Sequence, residues 1–281
     1  MDALPLTAVE RTALALCTYI NTNPNAKAMQ TAFHRQVGTR WIRAAIGHRL
    51  RFSGLEHVVG LNPDRGVLLC ANHRSFFDQY VLMTVLYEHA GWPRRCYFPV
   101  RANFFYEEWG GIVVNGVIGG FAMWPPIFRQ RDSAHADLNK QALDEICEFI
   151  REPGTIVGMH PEGTRGKGPD PYALLHAQPG VGTVVMRARP IVLPVFINGL
   201  GNELLRELTS RFDAQSPSER PINCVFGAPV DFGELLEGKP RPAQYKRVAD
   251  RILEAIRALG HIERGLREGN GKARWVPTDG G

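Results

Sequence analysis

The sequence predicts an α/β fold: a mixed, mainly parallel sheet flanked by helices, with an N-terminal helical appendage. Apolar runs at 66–71 (GVLLCA), 155–159 (TIVGM) and 191–197 (IVLPVFI) read as strands, the first of them buried. Between them lie stretches of helical period, the clearest at 137–151 (DLNKQALDEICEFIR). Strands that alternate with helices imply crossover connections and therefore parallel pairing. The 281 residues are enough for one large domain with appendages or two small ones, and 44% hydrophobic against 22% charged residues exclude a disordered chain.

Taken in order, residues 6–20 (LTAVERTALALCTYI) carry a helical pattern that the turn-forming cluster 21–25 (NTNPN) ends. Phe33, Val37, Trp41 and Ala45 then recur at four-residue spacing while Arg35, Arg40, Arg43 and His48 fall mostly elsewhere, which predicts a basic amphipathic helix. Two readings of it stay open: a helix packed on the core with a solvated basic face, or one lying on a membrane surface. A strand is expected at 50–53, a turn at Asn62, Pro63 and Asp64, and a helix at about 76–89 after the strand 66–71. Apolar segments near 97–100 and 112–114 predict further strands, and a short helix is expected near 180–188. Beyond the polar segment 208–222, residues 222–226 read as a last strand, and Tyr245, Val248, Ile252, Ile256 and Leu259 mark a last helix. The Gly-rich, charged end after about 263 is expected to fray.

The net charge of +5 is unevenly placed: Arg11, Lys27, Arg35, Arg40, Arg43, Arg49 and Arg51 occur between residues 11 and 55 without an acid among them. The five cysteines (Cys17, Cys70, Cys96, Cys147, Cys224) form no CxxC pair, which excludes the usual zinc spacings and fits a reducing compartment. The opening MDALPLTAVERT carries Asp2 and lacks a basic-then-apolar leader, so a cytoplasmic location is expected. The longest uncharged stretch, 109–128 (WGGIVVNGVIGGFAMWPPIF), approaches the roughly 20 residues of a spanning helix. Its glycines, Asn115 and the Pro125-Pro126 pair suit short buried strands or an apolar loop better, and attachment to a bilayer surface stays open.

Residues 72–78 (NHRSFFD) set a histidine and an acid five positions apart. On one continuous helix such residues are rotated from each other by about 140° and could not meet, so His73 must precede the helix. Ser75 and Asp78 have the form of a capping box, which predicts a helix start at Ser75 with Asp78 in the first turn. From there the Asp78 carboxylate can hold one imidazole nitrogen and leave the other to take a proton from a hydroxyl. A loop histidine beside a helix-capping acid is the competing reading. The second cluster, 160–165 (HPEGTR), follows the strand 155–159: Pro161 stops the strand, Gly163 admits close approach, and Thr164, Arg165 and Lys167 offer donors suited to a phosphate. It lacks the G-x-x-x-x-G-K-[ST] pattern and is no P-loop, and standing alone Glu162 and Arg165 would read as an exposed ion pair.

In their order along the chain, 72–78 (NHRSFFD), 126–129 (PIFR), 161–165 (PEGTR) and 193–195 (LPV) resemble the four motifs of the glycerolipid acyltransferases, which act on glycerol 3-phosphate and 1-acylglycerol 3-phosphate. The resemblance spans roughly residues 52–226. It implies that His73 is the general base on the acceptor hydroxyl and Asp78 the group that orients and charge-stabilises it. Arg129, Glu162, Gly163, Thr164 and Arg165 would be the acceptor-binding set, with both arginines on the phosphate, and Pro194 would lie near the acyl-donor channel. It further implies an acyltransferase domain at 51–262 between a basic helical region at 1–50 and a flexible tail at 263–281. Neither cofactor nor metal is required, acyl-CoA or acyl carrier protein being the co-substrate. The chain departs from the family pattern at three places: Phe128 stands for an acid before Arg129, Pro179 for a lysine before Gly180, and His160 for the aromatic residue before Pro161. These bear on the acceptor, so synthesis of phosphatidic acid is the expectation, with a different lysolipid or hydroxylated acceptor beside it. The stretch 109–128 ends at Arg129 and reads either as an acyl-tunnel or bilayer-facing loop or as two core strands.

Two readings of other classes compete. A hydrolase would use His73 and Asp78 on water, although the G-x-S-x-G elbow of serine esterases is missing. A non-catalytic module would hold anionic lipid or nucleic acid through the basic N-terminal part, although no nucleic-acid fold signature accompanies it. The expectation is thus an O-acyltransferase with a lysophospholipid acceptor and no nucleic-acid partner, held peripherally at the inner face of the cell membrane.

Overall fold

A computed structural model describes residues 8–102, 115–116, 119–128, 133–212, 220–238 and 240–269. Among them run strands β1 (Leu50–Ser53), β2 (Val67–Ala71), β3 (Arg95–Tyr97), β4 (Val100–Arg101), β5 (Pro126–Ile127), β6 (Thr155–Met159), β7 (Ile191–Asn198) and β8 (Ile222–Phe226). One six-stranded sheet has the order β1-β8-β7-β2-β6-β3 and is parallel except between β7 and β8. The three apolar runs are its middle: every residue of β2 is buried, with β6 and β7 hydrogen-bonded on either side. β4 and β5 pair in a separate two-stranded parallel ribbon.

Helices α1 (Ala8–Thr22), α2 (Pro24–Phe33), α3 (Thr39–Ile46), α4 (Asp78–His89), α5 (Ser133–Phe149), α6 (Pro179–Ala188) and α7 (Pro242–Arg267) flank the sheet. Asn23 starts α2 by accepting hydrogen bonds from the Asn25 and Ala26 N–H groups, with Pro24 at the first helical position where a missing N–H costs nothing. α4 is buried from Asp78 to Tyr87, so it shows no amphipathic pattern; each of its fully buried Leu82, Val85 and Leu86 contributes about 1.5–3 kcal/mol. α7 lies along β7 and β8 and packs on α6.

The structure corrects several expectations. The regular turns of α4 begin at Asp78, three residues past Ser75, but the expected capping box is present: Ser75 Oγ accepts from the Phe77 N–H at 3.2 Å while donating to the Gly201 carbonyl, and the Ser75 N–H donates to Asp78 Oδ2 at 2.9 Å. The last helix runs past 262 to Arg267, since Glu263 and Leu266 are buried. In the N-terminal region the face expected to be apolar splits: Phe33 and Val37 are exposed, Trp41 and Ala45 are partly buried against the core, and Lys27, Gln30, His34, Ile42 and Ile46 are buried. A π-helical turn over His34–Gly38 joins α2 to α3, and the buried polar side chains find backbone partners. Asn21 donates to the Phe121 carbonyl at 2.8 Å, Gln30 to Gly120 at 2.7 Å, and His34 to Gly119 at 2.6 Å. The strand expected at 112–114, Arg129, and residues 270–281 of the expected tail lie outside the described residues.

Candidate active site

In parallel sheets ligands bind beyond the carboxyl ends of the strands, and here β2 and β6 end side by side. The Asn72 side chain holds the exit of β2 to β7, donating to the Ile197 carbonyl at 2.9 Å and accepting from its N–H at 2.7 Å. His73 follows in the loop before α4. Asp78, buried at the head of α4, gathers three donors on Oδ2: His73 Nδ1 at 3.1 Å, the Arg74 N–H at 2.8 Å and the Ser75 N–H at 2.9 Å. The carboxylate therefore caps the turn and orients the imidazole at once. Because Oδ2 accepts, Nδ1 carries the proton and Nε2 keeps a bare lone pair.

Electrostatics favour the neutral imidazole. Burial, then the positive charges of Arg165 and Arg101, hold His73 below the ordinary histidine value. Burial raises Asp78 above the usual carboxylate range, against the N–H donors that favour its charge. Arg165 lies with its guanidinium 3.5 Å from the centre of the Phe76 ring and donates to Asn202 Oδ1 at 2.7 Å. Arg74 donates to the Gly168 carbonyl at 2.7 Å, and the Gly166 N–H to the His73 carbonyl at 2.9 Å. Arg74, Arg165, Lys167, Asn198 and Asn202 line a cavity of about 490 Å³ beside the histidine loop, a polar recess of positive sign.

Other expected site residues have different places. Glu162 is buried and spends both oxygens on backbone, accepting from the His73 N–H at 2.9 Å and the Leu175 N–H at 2.7 Å. It braces the histidine loop instead of facing an acceptor. Gly163 takes φ +65°, a region L side chains avoid, and its carbonyl accepts from Arg101 at 3.1 Å; Thr164 is exposed on the same turn. Pro194 is buried within β7, opposite Cys70 in register and close to Gly227, and does not line the cavity. Arg101 and Asn202 join the site from the β4 ribbon and the turn after β7, with no local motif to mark them. His160 stacks flat on His73, ring centres 3.8 Å apart and planes 9° from parallel.

Donor atoms of His73, Asp78 and His160 lie within 4.8 Å of one another, a compact set for a metal ion. With the two rings parallel, their in-plane lone pairs run side by side and do not converge, so a shared ion requires a ring to turn. Among the described residues, no helix is long and apolar enough to cross a membrane.

A His–Asp pair at the carboxyl end of a parallel sheet, its second nitrogen bare and cations around it, has the geometry to take a proton from a hydroxyl. The family model described as Acyltransferase matches residues 49–198, and the chain belongs to that family; it is an acyltransferase. The crystal structure of the 1-acyl-sn-glycerophosphate (LPA) acyltransferase PlsC from Thermotoga maritima has a similar fold. It aligns with a TM-score of 0.51 over 90% of this chain and 98% of that one, at 16% identity. No curated protein matches the chain.

Proposed function

We propose that this enzyme transfers a fatty acyl group from acyl-CoA or acyl carrier protein to the free hydroxyl of a lysophospholipid, 1-acylglycerol 3-phosphate, giving phosphatidic acid. The observation that carries the reading is the bare Nε2 of His73, oriented by Asp78, beside a cavity walled by Arg74, Arg165 and Lys167. His73 takes the hydroxyl proton as the oxygen attacks the thioester carbonyl; the tetrahedral adduct collapses, the C–S bond breaks, and the proton on Nε2 passes to the departing thiolate. Guanidinium and ammonium groups suit the acceptor's phosphate, and the name of the Thermotoga maritima enzyme points to the same acceptor. The apolar side chains Leu16, Tyr19, Met29, Phe33 and Val37, exposed on a basic N-terminal region, support docking on an anionic bilayer at the inner face of the cell membrane.

The test is a product screen by mass spectrometry with acyl-CoA and acyl carrier protein donors against lysophosphatidate, glycerol 3-phosphate and other lysolipids. Phosphatidic acid formed fastest, and lost in His73→Ala, is the expected result. Preference for another lysolipid overturns the acceptor; free fatty acid released equally with and without acceptor overturns the transferase reading in favour of a hydrolase.

A further inference from the structure

The mechanism above leaves His160 without a task, yet its placement is specific. It follows β6 directly, and its ring lies face to face with the His73 ring, 3.8 Å between centres. Nδ1 lies 3.0 Å from the Ala71 carbonyl oxygen, which can only accept, so Nδ1 carries the hydrogen. Nε2 is sealed from solvent with no hydrogen-bond partner, as is Asp78 Oδ1. The ring is thus pinned through one edge to the end of β2, the strand whose next loop carries His73. Burial, then the neighbouring His73, holds His160 far below the ordinary histidine value, at about 3, so the ring against His73 is neutral.

A neutral aromatic face has a preferred partner: a cation above it is attracted by the ring's π electrons, more strongly in a desolvated site. His73 becomes such a cation once it has taken the hydroxyl proton. We propose that His160 is a positioning residue for acyl transfer: its neutral, backbone-anchored ring holds the His73 imidazole in the plane that meets Asp78 and stabilises the imidazolium formed during attack. The proposal rests on His73 being the base. In its step the acceptor O–H proton moves to His73 Nε2 as the O–C bond forms, then to the thiolate as the C–S bond breaks; His160 exchanges no proton.

The groups that set the charge around this stack are Asp78 from α4, Arg101 from β4, Arg165 from the loop after β6, and Arg74 and Glu162 at its base. His160→Leu keeps bulk without a π face, and His160→Phe keeps the face without nitrogens. In His160→Leu, kcat should fall roughly tenfold with KM little changed, and the acid limb of the pH–rate profile should move to lower pH because the imidazolium loses its stabilising face. His160→Phe should recover most of the rate and the original limb. His160→Gln, polar and flat-faced only at its amide, should resemble His160→Leu and stands in for it if that variant does not fold. Unchanged kcat in both His160→Leu and His160→Gln, or a loss in His160→Phe as deep as in His160→Leu, overturns the proposal. His73→Ala separates the two levels: if it retains transfer, the base assignment itself is wrong, whereas an inactive His73→Ala beside a fully active His160→Leu removes only the stacking role.

Discussion

Replacing Asp78 by Asn isolates charge from geometry. Asp78 Oδ2 accepts from His73 Nδ1 and from two backbone N–H groups, Arg74 and Ser75, at 3.1, 2.8 and 2.9 Å. Those N–H groups can only donate, so an Asn side chain must leave its oxygen where Oδ2 stands. The imidazole then keeps an acceptor on Nδ1 and its bare Nε2, and the tautomer survives, unlike the tautomer switch worth about 10⁴ in a serine protease triad. What disappears is one negative charge beside the imidazolium. At ~4 Å and an effective dielectric constant near 20 that is worth about 4 kcal/mol, an upper figure for the loss in transition-state stabilisation. Asp78→Asn should therefore lower kcat by roughly 10²–10³, with KM within a few fold and thermal stability near that of the parent. The assay is thiol release from acyl-CoA at saturating acceptor, with a thermal melt as the folding control. A folded Asp78→Asn enzyme with parental kcat would reduce the carboxylate to a cap, and one as inactive as His73→Ala would show that orientation was lost as well.

Glu162→Gln sets an NH₂ group against one of two backbone N–H donors; chemical denaturation should show a loss of about 1–3 kcal/mol, with a lower kcat as the His73 loop loosens. Arg165→Ala combined with Lys167→Ala should raise KM for a phosphate-bearing acceptor at least about tenfold while kcat falls less, read from steady-state kinetics. Lys27 is fully buried, donates to Asn21 Oδ1 and the Cys96 carbonyl, and is lowered from 10.5 to about 7 by burial. Between those values the unfolded chain holds a proton that the folded chain does not, so stability should rise with pH above about 7, by about 2 kcal/mol up to pH 9. Above pH 9 the buried Cys70 and Cys224 thiols, raised by burial, act in the opposite sense. Urea melts at pH 7 and 9 should show the rise in the parent and its absence in Lys27→Met.

Features that depend on short-range pattern were legible in the sequence. The apolar runs became the sheet's centre, and the five-residue spacing of His73 and Asp78 put the histidine outside the helix, where the carboxylate reaches it. Features decided by distant backbone were not. Ser75 caps the turn as its local signature indicates, but the further bond from its hydroxyl to Gly201, far along the chain, has no local signal. Glu162 reads as a site acid until its two oxygens are found on the His73 and Leu175 N–H groups. Phe33 and Val37 face outward for a related reason: Gln30 and His34 satisfy carbonyls from the Gly-rich stretch, and no periodicity count sees those acceptors. Asn202 and Arg101 reach the site through tertiary placement alone.

The carbonyls of Gly119, Gly120 and Phe121 are consecutive, and His34, Gln30 and Asn21 grasp them in the reverse order of their own sequence. Such an arrangement works as an index mark. Side chains from α1, from α2 and from the turn after it each meet one rung of the backbone, and at Gly120, φ +48°, an added Cβ would lie 2.6 Å from the His34 ring. A single residue inserted or deleted between this turn and β5 cannot keep both the three rungs and the pairing of Pro126 with Val100, so either the ribbon slips or three polar side chains lose their partners. The length of the chain feeding β5 is thereby constrained more tightly than its composition, and loop grafting in this enzyme has more room elsewhere, as at the exposed turn of Gly238, which has open space around it.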